Sequence, residues 1–424
     1  MSPEAGTSTI DRELIADCVH CGFCLPTCPT YGPLWQEEMD SPRGRIHLME
    51  GLADGTLLLN RTVVEHFDRC LGCMACVTAC PSGVRYDLLI EQTRATVERE
   101  HRRRFRDRAL RRALFAVFPR PRRLRRALLL APLARHLPLP GALRPLVEVA
   151  PPWRAWDRTP DLTQAVGERG ARVGLLAGCV QRVLFGDVNA ATARVLAAYG
   201  CEVAVPRGQG CCGALALHAG REEEARRCAR RTIDEFEAAE VEMVVTNAAG
   251  CGSSMKEYGH LLADDPAYAE RAAACAARVR DVSEVLAERE PRTEPKPLSL
   301  RVAFQDSCHL AHAQGVRAAP RAVLGTIPGL ELAEPADQAI CCGSAGIYNL
   351  LQPQAARELG DRKAEQVLAT EPDAYASGNP GCLVQVTAAL RRAGRPVPAF
   401  HPVELVDASL RGADARELLG QARR

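Results

Sequence analysis

Short apolar runs alternate with longer amphipathic stretches over the last 264 residues of the chain, and the alternation occurs twice. Runs at 172–176 and 241–246 bracket helical periodicity at 188–199 and 220–237. Runs at 300–304 and 373–377 recur in the same relative places. Brief, nearly uninterrupted apolar strands between helices are expected of parallel sheets covered on both faces. The first hundred residues read differently. Positions 61–69 and 86–97 are helical, and 41–50 reads as a loop entering a helix, with no strand alternation. Between these parts, Leu110, Leu114, Val117 and Phe118 fall at i, i+4, i+7 and i+8 and predict an amphipathic helix. The expected class is α + α/β: a helical domain at 1–98, a basic connector at 99–160, and two duplicated α/β units at 161–295 and 296–424. The charged, proline-rich stretch 288–297 is expected to be the hinge between the units.

Composition narrows the function. Net charge is +2 and aromatic residues make up 4%, which argues against nucleic-acid binding and base-stacking surfaces. No apolar run approaches the roughly 18 residues of a membrane span, and 127–134 is interrupted by Pro132. The first fourteen residues have no apolar core and no cleavage-like site, so a cytoplasmic location is expected. Nineteen cysteines in such a setting point to metal or cluster binding rather than disulfides. The connector carries twelve arginines and one acid, Asp107, between 102 and 126. That basic face suits contact with anionic lipid at the inner membrane surface, docking of a partner subunit, or a solvated helix packed on its own chain.

The cysteines fall into two patterns. Cys18, Cys21, Cys24 and Cys28-Pro29 read C-x2-C-x2-C-x3-C-P, and Cys70, Cys73, Cys76 and Cys80-Pro81 repeat it. This spacing is the bacterial two-cluster ferredoxin pattern, in which the fourth cysteine of each run serves the other cluster. We therefore expect Cys18, Cys21, Cys24 and Cys80 to hold one [4Fe–4S] cluster and Cys70, Cys73, Cys76 and Cys28 a second. Structural zinc, the alternative, prefers two separated ligand pairs. Gly22 and Gly72 are expected to let backbone approach sulfur or take positive φ. His20 matches no ligand slot and is expected to be solvent-facing or to support the ligands from behind.

The second pattern lies in the duplicated part. Cys179, Cys211-Cys212-Gly213 and Cys251 recur as Cys308, Cys341-Cys342-Gly343 and Cys382. The offsets agree closely: 308 − 179 = 129, 341 − 211 = 130 and 382 − 251 = 131. Each marked cysteine follows a predicted strand or sits in the loop after one, at the sheet edge where α/β folds bind ligands. Each unit is thus a candidate redox or metal site of four thiols, or a set of thiols that merely fill space. Cys201, Cys228 and Cys275 are expected to be small core residues.

Together the two patterns resemble the iron–sulfur subunit of glycolate oxidase (glycolate dehydrogenase), most closely at 18–31, 40–45, 68–86 and 174–181, and the likeness spans nearly the whole chain. Iron–sulfur proteins of lactate utilisation, anaerobic glycerol-3-phosphate dehydrogenase and heterodisulfide reductase share the modules. The resemblance implies that a separate FAD-binding subunit oxidises a 2-hydroxy acid. This chain would pass the electrons through its two cubanes to a quinone or another acceptor. The alternative is a disulfide reductase, whose units end C-x-x-C and hold a five-cysteine cluster. Here Ala248 and Asn379 stand where that motif has its first cysteine. The chain also lacks a dinucleotide fingerprint of its own.

Overall fold

The computed structural model describes residues 10–134, 159–338 and 340–421. The connector prolines at 138, 140, 145, 151 and 152, and most of the N-terminal stretch, lie outside the described residues.

From Arg12 to Glu100 the described chain is helical, with no strand. The helices Arg12–Ala16, Pro42–Ala53, Arg61–Arg69 and Tyr86–Glu100 bury Ile15, Ile46, Met49, Phe67, Leu89 and Ile90 in one core. Their starts are set locally. Asp11 accepts from the amides of Glu13 and Leu14, Ser41 Oγ from Gly44, and Asn60 Oδ1 from Val63. Pro42 takes the first helical position, where its missing N–H costs nothing.

The connector forms the helices Phe105–Val117 and Pro121–Ala134, and the second runs through Pro132 rather than ending there. Leu114 and Phe115 are buried against the first α/β unit. Arg103 and Arg111 reach back to Asp68 at 2.6 and 3.5 Å. The apolar side of this helix is therefore packed on its own chain, while Arg102, Arg104, Arg106, Arg108 and Arg112 remain exposed.

The first unit has strands β1 (Leu162–Thr163), β2 (Ala171–Leu175), β3 (Cys201–Ala204), β4 (Met243–Thr246) and β5 (Val279–Asp281). They lie in the order β1-β3-β2-β4-β5, all parallel except β1. The second unit has β6 (Leu300–Gln305), β7 (Leu330–Ala333), β8 (Ala374–Ser377) and β9 (Ala399–Phe400), in the order β7-β6-β8-β9, all parallel. The duplication extends to side chains. Gln209 clamps the end of β2, donating to Leu175 O and accepting from Ala177 N. Gln338 does the same for Phe304 O and Asp306 N beyond β6. Asp281 and His401 each begin a capping box, opening the helices Val282–Ala287 and Pro402–Arg411.

The helix Gly186–Ala198 of the first unit packs on Pro402–Arg411 of the second, and Ala318–Gly325 of the second on Val282–Ala287 of the first. This exchange relates the units by a pseudo-twofold axis. Arg194 locks one of the two contacts by pairing with Asp407 through both oxygens, at 2.9 and 2.7 Å. A continuous apolar core crosses from Val173 and Val203 to Val302 and Tyr375.

Candidate metal centres

The two cysteine loops share two left-handed positions. His20 and Gly22 have φ of +53° and +85°, and the matching Gly72 and Met74 have +63° and +61°. The sequence places glycine at only one of these two positions in each loop, so one left-handed residue per loop carries a side chain. An arginine covers each glycine. A Cβ on Gly22 would meet Arg43 Nη1 at 2.7 Å, and one on Gly72 would meet Arg94 Nη1 at 3.1 Å. The turn also aims the Gly72 amide at Cys70 Sγ, 3.4 Å away.

Cys18, Cys21, Cys24 and Cys80 line one small cavity, which Cys76 also borders. Cys28 faces Cys70, Cys73 and Cys76 in a second, buried set. Cys24 neighbours both Cys18 of its own set and Cys28 of the other. Burial pushes the Cys24 thiol up to about 11, and burial with neighbouring thiols pushes Cys73 and Cys76 well above their ordinary value. Crowding and burial of this kind favour the neutral thiol unless positive charge stands close by. Among the described residues no group of three His, Cys, Asp or Glu is arranged around a single ion.

Behind the second set lies a fully buried cation. Arg45 donates to Thr30 Oγ1 at 3.0 Å, His66 O at 2.7 Å and Asp40 Oδ1 at 3.3 Å. Asp40, also fully buried, receives His66 Nδ1 at 3.0 Å and Arg69 at 2.7 Å. Burial alone would push the Cys70 thiol up. The Arg45 and Arg94 guanidiniums, the Tyr86 hydroxyl and the Gly72 amide outweigh it and hold the thiol below its ordinary value. Arg45 is placed by a tight turn, since a Cβ on Gly44 would lie 2.0 Å from Glu38 O.

The second set abuts the duplicated units. Cys73 and Leu71 share a buried cluster with Cys341 and Tyr348. Thr78 Oγ1 meets His312 Nδ1 at 2.7 Å. Arg94 ties Cys70 O to His218 O, at 2.5 and 3.0 Å. In each unit the adjacent cysteines turn on a left-handed glycine, Gly213 at +94° and Gly343 at +86°. Cys179 Sγ lies 3.5 Å from Cys211 Sγ, and Cys212 contacts Cys251. In the second unit Cys308 contacts Cys341, and Cys342 contacts Cys382. All eight line one cavity of about 260 Å³ between the units. Asn379 Nδ2 sits 3.5 Å from Cys382 Sγ, while Ala248 brings no polar atom to the matching place.

One cysteine was misplaced by sequence reasoning. Cys228 is half-buried, not a core filler, and its thiol contacts Cys211. It belongs to no repeated motif, so only the packing of the helix Glu222–Ala238 reveals it. Cys201 and Cys275 are buried as expected.

The family description "4Fe-4S dicluster domain" matches residues 14–84, and "Cysteine-rich domain" matches 173–256 and again 302–387. The probable glycolate oxidase iron–sulfur subunit of Bacillus subtilis (strain 168) is 36% identical over 418 residues, 94% of each chain. The glycolate oxidase iron–sulfur subunit of Escherichia coli (strain K12) is 37% identical over 406 residues, 94% of this chain and 95% of that one. The chain belongs to the glycolate oxidase iron–sulfur subunit family. As a glycolate oxidase iron–sulfur subunit homologue it is an electron-transfer protein, the iron–sulfur part of an oxidoreductase. A solved structure, a hypothetical protein from Helicobacter pylori, superposes with a TM-score of 0.54 at 8% identity. It covers 89% of this chain and 74% of that one, and shares the fold alone.

Proposed function

We propose that this chain carries electrons from a partner FAD-binding subunit, which oxidises glycolate or a related 2-hydroxy acid, to a quinone or another acceptor. Cys18, Cys21, Cys24 and Cys80 would hold one [4Fe–4S] cluster, and Cys28, Cys70, Cys73 and Cys76 the other. A bound cubane supplies a one-electron store at each position. The observation that carries this reading is the shared wall between the two thiol sets, where Cys24, Cys28 and Cys76 meet.

The residues around the sets do three things in this scheme. Arg45 and Arg94 offset the negative charge at Cys70, which favours the thiolate and raises the affinity for an arriving electron. The αL turns present amide hydrogens to sulfur. Burial of Cys28, Cys70, Cys73 and Cys76 excludes water from the second set, whereas Cys21 of the first is exposed and marks the side at which electrons enter or leave. The thiols of the duplicated units, adjacent to Cys73, are candidates to extend the path. No helix among the described residues is long and apolar enough to cross a membrane. A membrane quinone would therefore be met at the surface, and the exposed arginines of the connector, with Phe105 and Leu129 at 75% and 50% exposure, support contact with anionic lipid.

The test is rapid mixing of glycolate with the chain co-purified with its FAD-binding partner. Flavin reduction should be followed by one-electron EPR signals from this chain, and the chain alone should show no glycolate turnover. Glycolate oxidation by the isolated chain, or a chain loaded with zinc and no iron, overturns the reading.

A further inference from the structure

The cavity between the duplicated units is bordered by more than their thiols. Cys70 and Leu71 of the second ferredoxin-type loop reach its wall, so the second thiol set lies next to it. Another wall comes from the connector helix Pro121–Ala134, which contributes Leu124 and Leu128 and packs on the helix Val180–Leu184. Leu124 is buried and Leu128 half-buried, whereas Leu129, the next residue, is exposed. The helix whose outer side supports lipid contact thus also forms one side of this cavity.

Polar groups without partners share the same lining. Gln181, 3% exposed, has both atoms of its amide unpaired, and Tyr348, 6% exposed, has its hydroxyl unpaired. Nε2 of His218 is unpaired as well, while its Nδ1 meets Glu91 Oε1 at 3.3 Å. Buried polar groups are ordinarily paired, so three on one cavity point to an occupant that the chain itself does not supply. The arginines of the lining are already engaged, Arg103 and Arg111 by Asp68 and Arg94 by the carbonyls of Cys70 and His218. An anionic ligand would find these cations taken, whereas a neutral one with hydrogen-bonding ends is matched.

We propose that this cavity binds the head group of a quinone, with Gln181, Tyr348 and His218 as its hydrogen-bonding residues and the connector helix as the side from which its apolar tail leaves. A quinone ring has apolar faces and two carbonyl oxygens, which accept hydrogen bonds and become hydroxyl donors on reduction. The Gln181 amide offers a donor and an acceptor and so serves either state. Pockets for drug-sized ligands run to about 300–1,000 Å³, and about 260 Å³ suits a head group whose tail lies outside. Reduction adds two electrons and two protons to the quinone and forms an O–H bond at each oxygen. The electrons come, one at a time, from the 2-hydroxy acid by way of the partner's flavin and the thiol sets. The same oxidation releases two protons to solvent, which balances those taken up. Glu91, partly open to solvent, backs His218 as a route for protons into the cavity. The inference rests on the reading of the chain as an electron carrier and gives its acceptor a place.

The full chain, purified without oxygen, is to be titrated with ubiquinone-1 and with menadione, and irradiated with an azido-substituted short-chain quinone. At least one of the two quinones should bind and should displace the photolabel, which should fall on peptides containing residues 124–128 and the helix Val180–Leu184. Gln181→Leu and Leu128→Trp should each weaken binding about tenfold or more. Both should keep the EPR signals of the N-terminal sets, which shows that they fold. With the FAD-binding partner present, both should raise KM for the quinone and leave flavin reduction by glycolate unchanged. A wild type that binds neither quinone, a photolabel confined to other peptides, or variants that bind as tightly as wild type overturns the inference. If glycolate still reduces the EPR-active centres of this chain in those samples, the electron-carrier reading stands; if it does not, that reading falls as well.

Discussion

His309 donates from Nε2 to the carbonyl oxygen of Gly72 across 2.9 Å, joining the second ferredoxin-type loop to the residue after Cys308. This bond fixes the tautomer. Nδ1 of His309 is then an acceptor, and Ser253 Oγ donates to it at 2.8 Å. One neutral imidazole thus connects three parts of the chain, 72, 253 and 309, at the junction between the N-terminal thiol sets and the duplicated units.

That role makes stability depend on pH. Burial, with the neighbouring His218, pulls the His309 imidazole down to about 3. Below the unfolded value near 6.5 the unfolded chain takes up a proton that the folded chain refuses until about pH 3. The stability tied to this residue is therefore full above pH 6.5 and falls as pH drops, by about 1.4 kcal/mol per unit. In His309→Gln this component is absent, so the stability gap between wild type and variant should narrow from pH 7 to pH 5. Anaerobic urea denaturation measures the gap, and a constant or widening gap refutes the assignment.

Cys76 borders both thiol sets. Cys76→Ser should lower bound iron by up to half and cut electron delivery to the acceptor at least tenfold, with glycolate still reducing the partner's flavin. Stopped-flow flavin bleaching alongside acceptor reduction separates the two steps. Parallel loss of flavin reduction would place this cysteine in substrate oxidation instead.

The buried pair of Arg45 and Asp40 offers a stability test. Asp40→Ala removes the carboxylate that pairs with Arg45 and leaves a buried cation, at a cost of about 3–5 kcal/mol. Asp40→Asn keeps an acceptor and should lie between variant and wild type. Thermal unfolding under nitrogen reads the order, which an exposed pair would not show.

Two glycines separate backbone strain from crowding. Gly394 has φ of +71° and open space where a Cβ would go, whereas at Gly343, with φ of +86°, a Cβ meets Ala356 O at 2.7 Å. Gly394→Ala should cost about 1 kcal/mol, the left-handed penalty alone. Gly343→Ala should cost clearly more and should shift the contacts of Cys341 and Cys342. Equal costs in chemical denaturation would mean that the Ala356 turn yields freely.

The sequence by itself determined the chemistry that depends on spacing. The recurrence of C-x2-C-x2-C-x3-C-P identified eight thiols, and offsets of 129, 130 and 131 exposed a duplication that Gln209 and Gln338 repeat in detail. These signals are local or periodic, and a loop that wraps a cluster must write its geometry into neighbouring residues. Only the tertiary structure decided the rest. Gly22 and Gly72 look unrelated as letters, but the folded loops use the same two left-handed positions. The connector's apolar stripe suits a membrane, a partner or the chain itself, and the packing of Leu114 and Phe115 shows which surface it covers. Cys228 carries no motif, and the approach of a helix to the turn at Gly213 brings it to Cys211. Long-range packing is set by complementary shape between segments distant in sequence, so no short pattern along the chain records it.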